Sequence, residues 1–237
     1  SAMSCVISNC CITKTGPGGL SLTASNTYTG PTTINDGTLS LSGANPVDFT
    51  SSITINGANA KLVLNDGTIP HPVNGSIGSL TVADGIGNTV SAGSGVSSIL
   101  SGPVTFQGNA NLNLTSSKTL YATDLTTNPA SQIVVNVTPA TGVWLDNYDY
   151  PIIDFSTYSS AADASHFTLI PPPGLNSSQH ATLVRTANAI VVRITTDALQ
   201  WTGSQSGDWT TVPVGGARNW LDNGSPAEYE DNRSVVF

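Results

Sequence analysis

One phrase recurs along the first half of the chain and limits the folds open to it. Thr33-Ile34-Asn35-Asp36-Gly37-Thr38-Leu39-Ser40-Leu41 is followed by Thr54-Ile55-Asn56-Gly57-Ala58-Asn59-Ala60-Lys61-Leu62-Val63-Leu64. Looser echoes start at Thr81-Val82-Ala83-Asp84-Gly85 and at Thr105-Phe106-Gln107-Gly108, the second running on to Leu112-Asn113-Leu114. The anchors Ile34, Ile55, Val82 and Phe106 stand 21, 27 and 24 residues apart. Within each copy apolar residues alternate with Ser, Thr or Asn, which places every second side chain on one face of a strand. Asp36-Gly37, Asn56-Gly57, Asp66-Gly67, Asn74-Gly75 and Asp84-Gly85 supply turns between the strands. No window from residue 12 to 135 carries apolar residues at helical spacing over three turns. A sandwich of hairpins would place a turn every 8 to 12 residues, roughly. A period in the low twenties instead matches about one coil of a parallel β-solenoid, with each strand stacked on its equivalent in the next coil.

Charge fits that stacking. The 237 residues include only 7 Lys or Arg and 15 Asp or Glu, so charged residues make up 9% against roughly 25% in an ordinary soluble domain. Equivalent positions in adjacent coils lie ~4.8 Å apart, so a like charge repeated in every coil would repel itself. Hydrophobic residues at 38% still allow a sizeable core. The formal charge of −8 argues against nucleic acid, whose binding requires clustered Lys and Arg. No apolar run reaches the ~20 residues that span a bilayer, so no membrane insertion by this segment is expected.

The ends carry less information. Ser1-Ala2-Met3 looks like a remnant of tag removal, and the chain stops within the apolar run Val235-Val236-Phe237, so a piece of something longer is expected. Cys5, Cys10 and Cys11 are the only cysteines. Three clustered at one end make no disulfide framework, and a zinc site would lack a fourth ligand near in sequence. A local Cys5–Cys10 or Cys5–Cys11 bridge, or free thiols, is the expectation, with no metal and no cofactor.

A longer motif opens the repeats. Ile12-Thr13-Lys14-Thr15-Gly16-Pro17-Gly18-Gly19-Leu20-Ser21-Leu22 is followed, after a short loop, by Asn26-Thr27-Tyr28-Thr29-Gly30-Pro31-Thr32-Thr33-Ile34-Asn35-Asp36-Gly37-Thr38-Leu39. It resembles the autotransporter-associated β-strand repeat, without gaps over about thirty residues and with Ile12 where Leu is usual. The resemblance implies a right-handed parallel β-helix, a single-stranded solenoid, in very large secreted or outer-membrane passenger proteins of bacteria. In physical terms Gly16, Gly18, Gly30 and Gly37 are expected to supply positive φ or close backbone approach at corners. Asn26 is expected to bridge its own turn, and Tyr28 to cover the coil edge. Leu20, Leu22, Ile34, Leu39 and Leu41 should fill the lumen.

Beyond residue 135 the pattern changes. Ile133-Val134-Val135-Asn136-Val137 reads as a strand, and Trp144, Tyr148 and Tyr150 bring the first dense aromatics. Further strands are expected at Tyr150–Phe155, Phe167–Ile170, Ala181–Val184 and Ala189–Ile194, with a helical turn only within Ser156–Ser165. A solenoid exposes unpaired backbone at its last coil and needs a cover. The chain therefore divides into coils over 4–135, a β-strand cap or small β domain over 136–197, and a Trp-rich segment over 198–237. That last segment resembles the opening of a following repeat module.

Candidate site residues are few. Trp144, Trp201, Trp209 and Trp220 could stack on pyranose rings, although plugging a solenoid end is the blander role. Asp146, Asp149 and Asp154 form the one acidic concentration, expected to be a solvated loop rather than the paired carboxylates of a hydrolase. His71, His166 and His180 lack a sequence-near Ser and Asp arrangement for a triad. Acceptor-like triplets such as Asn176-Ser177-Ser178 are expected by chance in so Asn- and Ser-rich a chain. A non-catalytic stalk or adhesin segment at the bacterial surface is thus expected, with glycans or surface proteins as partners. A carbohydrate-binding module, and then a polysaccharide-degrading enzyme, are the alternatives.

Overall fold

The structure is a computed structural model. It describes residues 2–3, 7, 10–24, 26–42, 51–64, 78–92, 99–157, 163–204, 219–222, 225–227, 229 and 235–237. Among these residues there is no α-helix, only the 3₁₀ turn Ala164–His166, and no helix long and apolar enough to cross a membrane.

Alternation of apolar and polar side chains does here what it predicts. The chain passes back and forth between two parallel sheets that line one core. The first sheet stacks Ala2–Met3, Gly19–Leu22, Thr38–Leu41, Lys61–Leu64, Thr89–Ala92, Ala110–Thr115, Ile133–Thr138 and Phe167–Leu169. The second stacks Ile12–Lys14, Thr32–Ile34, Ser52–Ile55, Ser79–Val82, Val104–Phe106, Leu120–Thr127 and Tyr148–Thr157. Every neighbouring pair in these two series is parallel. The molecule is a β-solenoid.

Register confirms the repeat. Ile34 lies on Ile55, Ile55 on Val82, and Val82 on Phe106, so the spaced anchors of the sequence stack directly. On the first sheet Leu39, Leu62, Val90, Leu112 and Val135 form the equivalent inward column. All nine side chains are fully buried. Their outward neighbours Thr13, Thr33, Thr54, Thr81, Thr105 and Thr126 make an uncharged row along the second sheet. A row of this kind avoids the repulsion that a repeated charge would bring at rung spacing. Leu120–Thr127 turns a corner: Leu120, Ala122, Leu125 and Thr127 point inward, so alternation slips by one residue at Thr123-Asp124. Its first half pairs with Ile99–Ser101 and Tyr148–Thr157, and its second half with Val104–Phe106.

The motif residues take definite places. Leu22, Ile34, Leu39 and Leu41 fill the lumen as expected, while Leu20 is half-buried at its margin. Gly16 and Gly37 adopt positive φ, +72° and +67°, and a Cβ on Gly30 would overlap the Cys10 carbonyl. Gly18 departs from the expectation: its φ is not positive, and a Cβ added there would meet no atom within 4 Å. Asn26 does bridge its turn through Nδ2 to the Ala24 carbonyl at 3.1 Å, and its Oδ1 accepts from the Ile7 amide at 2.8 Å. Tyr28 is a correction: it is fully buried in the core, not laid over a coil edge. Its hydroxyl shares a 2.8 Å hydrogen bond with Thr32 Oγ1, and burial raises its pKa despite that bond. Lys14 has a role that its isolation in the sequence conceals. Its side chain is buried, and Nζ donates to the carbonyls of Thr15, Gly16 and Asp36, fastening one coil to the next. Gly37 leaves the space that this ammonium occupies.

Parallel stacking runs past residue 135 as far as Phe167–Leu169 on one sheet and Tyr148–Thr157 on the other. There the second sheet changes sense. Tyr148–Thr157 pairs antiparallel with Ala189–Thr196, which pairs antiparallel with Gln179–Arg185, so a hairpin closes that sheet. Leu199–Trp201, Trp220–Asp222, Ser225–Ala227 and Val235–Val236 form a small separate sheet. Ala2–Met3, expected to be a tag remnant, forms a short parallel strand on Ser21–Leu22. Cys10 and Cys11 are exposed free thiols; Cys5, Asp66-Gly67 and Asn74-Gly75 lie outside the described residues.

Candidate functional site

The closing hairpin shapes a concave feature at the end of the stack. An open cleft of about 680 Å³ lies where the loop before Tyr148–Thr157 meets the loop before Gln179–Arg185. Trp144, Asp146, Tyr148, Asn176 and Gln179 line it. Val143 and Leu145 stand on its rim, 61% and 57% exposed, and Tyr148 is 48% exposed.

Hydrogen bonds and ring contacts tie the lining together. Trp144 is buried, at 4% exposure. Its Nε1 donates to the Pro173 carbonyl at 2.8 Å, and its ring meets Tyr150 edge to face at 4.9 Å. The Tyr150 hydroxyl accepts from the Leu145 amide at 2.8 Å, and its ring supports that of Tyr148, 4.7 Å away. Asn147, between Asp146 and Tyr148, has φ +49°. Asn tolerates this left-handed conformation better than most residues. It forms the turn at the cleft edge together with Asp146. Gln179 Nε2 donates to Asp146 Oδ1 at 2.6 Å and to the Trp144 carbonyl at 3.1 Å. Its Oε1 accepts from the Asn176 amide at 3.1 Å. Asn176 Oδ1 in turn accepts from Ser178 N and Oγ at 3.0 and 2.9 Å. The Asn176-Ser177-Ser178 triplet is therefore an Asx turn that shapes the site.

The three aspartates singled out from the sequence have different surroundings. Asp146 belongs to the cleft. Asp149 is clamped by Arg193, Nε to Oδ1 and Nη2 to Oδ2, each at 2.7 Å. The hydrogen bond from Arg193 holds the Asp149 carboxyl below its ordinary pKa, against a smaller opposing effect of desolvation. Asp154 sits further along the strand, paired in register with Tyr121 and Ala189. A bulge between Pro151 and Ile153 returns it to the outward side. Five strand positions at ~3.3 Å each put Asp149 and Asp154 on the order of 16 Å apart, beyond the ~9.5 Å of paired hydrolytic carboxylates. Among the described residues no group of three His, Cys, Asp or Glu is placed to hold a metal ion.

The tryptophans divide as well. Trp144 lines the cleft but is buried, so it leaves no open ring face for stacking. Trp220 is buried, packed at 5.0 Å from half-buried Trp201 and at 5.4 Å from Tyr229. Trp209 lies outside the described residues, as does His71. His166 Nδ1 bonds Thr127 Oγ1 at 2.6 Å, and His180 Nε2 meets Asp197 Oδ2 at 3.0 Å. Sequence reasoning misses Asn176 and Gln179 as site residues, because neither residue type in that context points to chemistry. The available signal is the Pro171-Pro172-Pro173-Gly174 turn shortly before the triplet.

Fold and sequence together define a class, the β-solenoid built of short stacked repeats. The particular repeat follows from comparison: residues 12–41 match the family model described as the passenger-associated-transport-repeat. The match supports an autotransporter passenger repeat in that stretch, and repeats of this family imply an extracellular or cell-surface location. No curated protein matches the chain.

Proposed function

We propose that the chain is a non-catalytic scaffold segment of a large secreted or cell-surface bacterial protein, held out as a stalk or adhesive surface by an outer-membrane-associated parent. The observation that supports this reading is the stacked register between Ile12 and Thr138, with the inward column apolar and the outward row uncharged. Stacking of that kind satisfies backbone groups internally and makes each coil a template for the next, so folding can advance coil by coil and help draw the chain outward. A non-catalytic role is supported by the engagement of Asp146 by Gln179 and of Asp149 by Arg193, and by the strand length between Asp149 and Asp154. Glycans or surface proteins are the partners such a segment would meet.

Native-state hydrogen exchange on the whole chain tests the scaffold. Strand amides from Thr32 to Thr138 should exchange together through one cooperative opening, and independent local exchange of single rungs would overturn the reading. Release of reducing ends from a panel of neutral and uronic polysaccharides, abolished by Asp146→Asn, would overturn the non-catalytic part.

A further inference from the structure

We propose that the cleft at the closing hairpin binds a short neutral saccharide. This goes beyond the scaffold reading and does not depend on it. The cleft volume of about 680 Å³ falls within the range of roughly 300–1,000 Å³ usual for small-molecule sites. Its surface has two chemistries side by side. The half-exposed ring of Tyr148 and the exposed side chains of Val143 and Leu145 offer an apolar rim suited to the C–H face of a pyranose. The same lining holds polar groups with capacity to spare. Asp146 Oδ1 is taken by Gln179, which leaves Oδ2 as an acceptor. Asn176 Oδ1 is taken by Ser178, which leaves Nδ2 as a donor. One acceptor and one donor can be satisfied together by adjacent sugar hydroxyls, each of which both donates and accepts.

The groups are already fixed in place, which lowers the entropy lost on binding. Gln179 orients Asp146, Ser178 orients Asn176, and the left-handed Asn147 sets Asp146 and Tyr148 on either side of itself. Charge selects the ligand class. Among the described residues Asp146 is the only carboxylate in the lining and no Lys, Arg or His lines it, so uronates and other anionic sugars meet a carboxylate with no cation in the lining to offset it. A hard cation would require about six or more oxygen ligands, which one carboxylate and one carboxamide oxygen do not supply.

Saturation-transfer difference NMR on the whole chain tests this, with the methyl glycosides of glucose, galactose, mannose and N-acetylglucosamine and with glucuronate and galacturonate. Transfer to ring C–H protons of at least one neutral glycoside is expected, with none to the uronates. Tyr148→Ala and Asn176→Ala should each weaken binding at least ~10-fold while the unfolding midpoint stays near that of the parent. Should either variant unfold, Asn176→Asp keeps the acceptor for Ser178 and replaces the spare donor by a second acceptor, and the same loss is expected. No transfer to any neutral glycoside at millimolar concentration, equal transfer to uronates, or transfer unchanged in the variants would each overturn the proposal. None of these results alters exchange of the stacked rungs, so the two readings fail separately.

Discussion

The stacked coils and the closing hairpin are built from the same kind of strand by opposite rules. In the coils each rung repeats its neighbour: Ile34, Ile55, Val82 and Phe106 occupy one column, and Thr33, Thr54, Thr81 and Thr105 the next. Repetition makes the lumen apolar and the outside neutral, and it leaves no rung special. At the hairpin nothing repeats. Antiparallel pairing of Tyr148–Thr157, Ala189–Thr196 and Gln179–Arg185 brings together side chains such as Asp146 and Gln179 that are 33 residues apart in sequence. At the hairpin, polar groups far apart in sequence converge, whereas the polar contacts of the motif, such as Lys14 on Thr15, Gly16 and Asp36, join neighbouring coils.

The largest effect that would break this comparison is in the lumen. Phe106 is fully buried in its column and meets Phe167 edge to face at 6.2 Å, so Phe106→Ala should cost about 3–5 kcal/mol, read from the urea midpoint at constant slope. A loss below about 1 kcal/mol would mean that the rungs collapse around a missing side chain and are not tightly packed.

A glycine pair sharpens the contrast within the motif. Gly37 has φ +67°, and a methyl there would overlap the Gly16 and Gly18 carbonyls and crowd Lys14 Nζ at 2.7 Å. Left-handed backbone alone costs an L-residue roughly 1–2 kcal/mol, so Gly37→Ala should lose about 2 kcal/mol or more. Gly18→Ala, with open space around it, should stay within about 0.5 kcal/mol. Thermal unfolding of the two variants side by side measures the difference.

The smallest effect belongs to the cap surface. Arg193 holds the folded-state pKa of Asp149 below its ordinary value, so the pair adds stability above the usual carboxylate range of about 3.9 and loses it as pH falls through the lowered value. The side chains are 42% and 39% exposed, so solvent screening keeps the contribution small. Asp149→Asn should lower the unfolding midpoint slightly at pH 7, and the difference from the parent should vanish in strong acid.

Much of the coil region is legible in the sequence because its determinants are local and periodic. The spacing of Ile34, Ile55, Val82 and Phe106, and the alternation around Leu39 and Leu62, need only a strand and its neighbour to be understood. Lys14 and Tyr28 are not legible in the same way. A lysine between threonines reads as solvent-facing until the carbonyls of Thr15, Gly16 and Asp36 close on it. A tyrosine reads as a cover until Thr32 supplies a partner for its hydroxyl inside the core. The cleft is legible only in fragments: Trp144 and Asp146 stand out, while Asn176 and Gln179 do not.

By itself the sequence determined that these strands stack in parallel, since alternation, repeat length and scarcity of charge all act between adjacent rungs and need no distant contact. It also carries the similarity of residues 12–41 to the passenger-associated-transport-repeat. Where the stack changes sense, which aspartate is clamped and which faces the cleft, and what surrounds the Lys14 ammonium were decided only by tertiary structure. These depend on the angle and register at which far-separated segments meet, and a pattern that repeats every coil carries no information about the place where it ends.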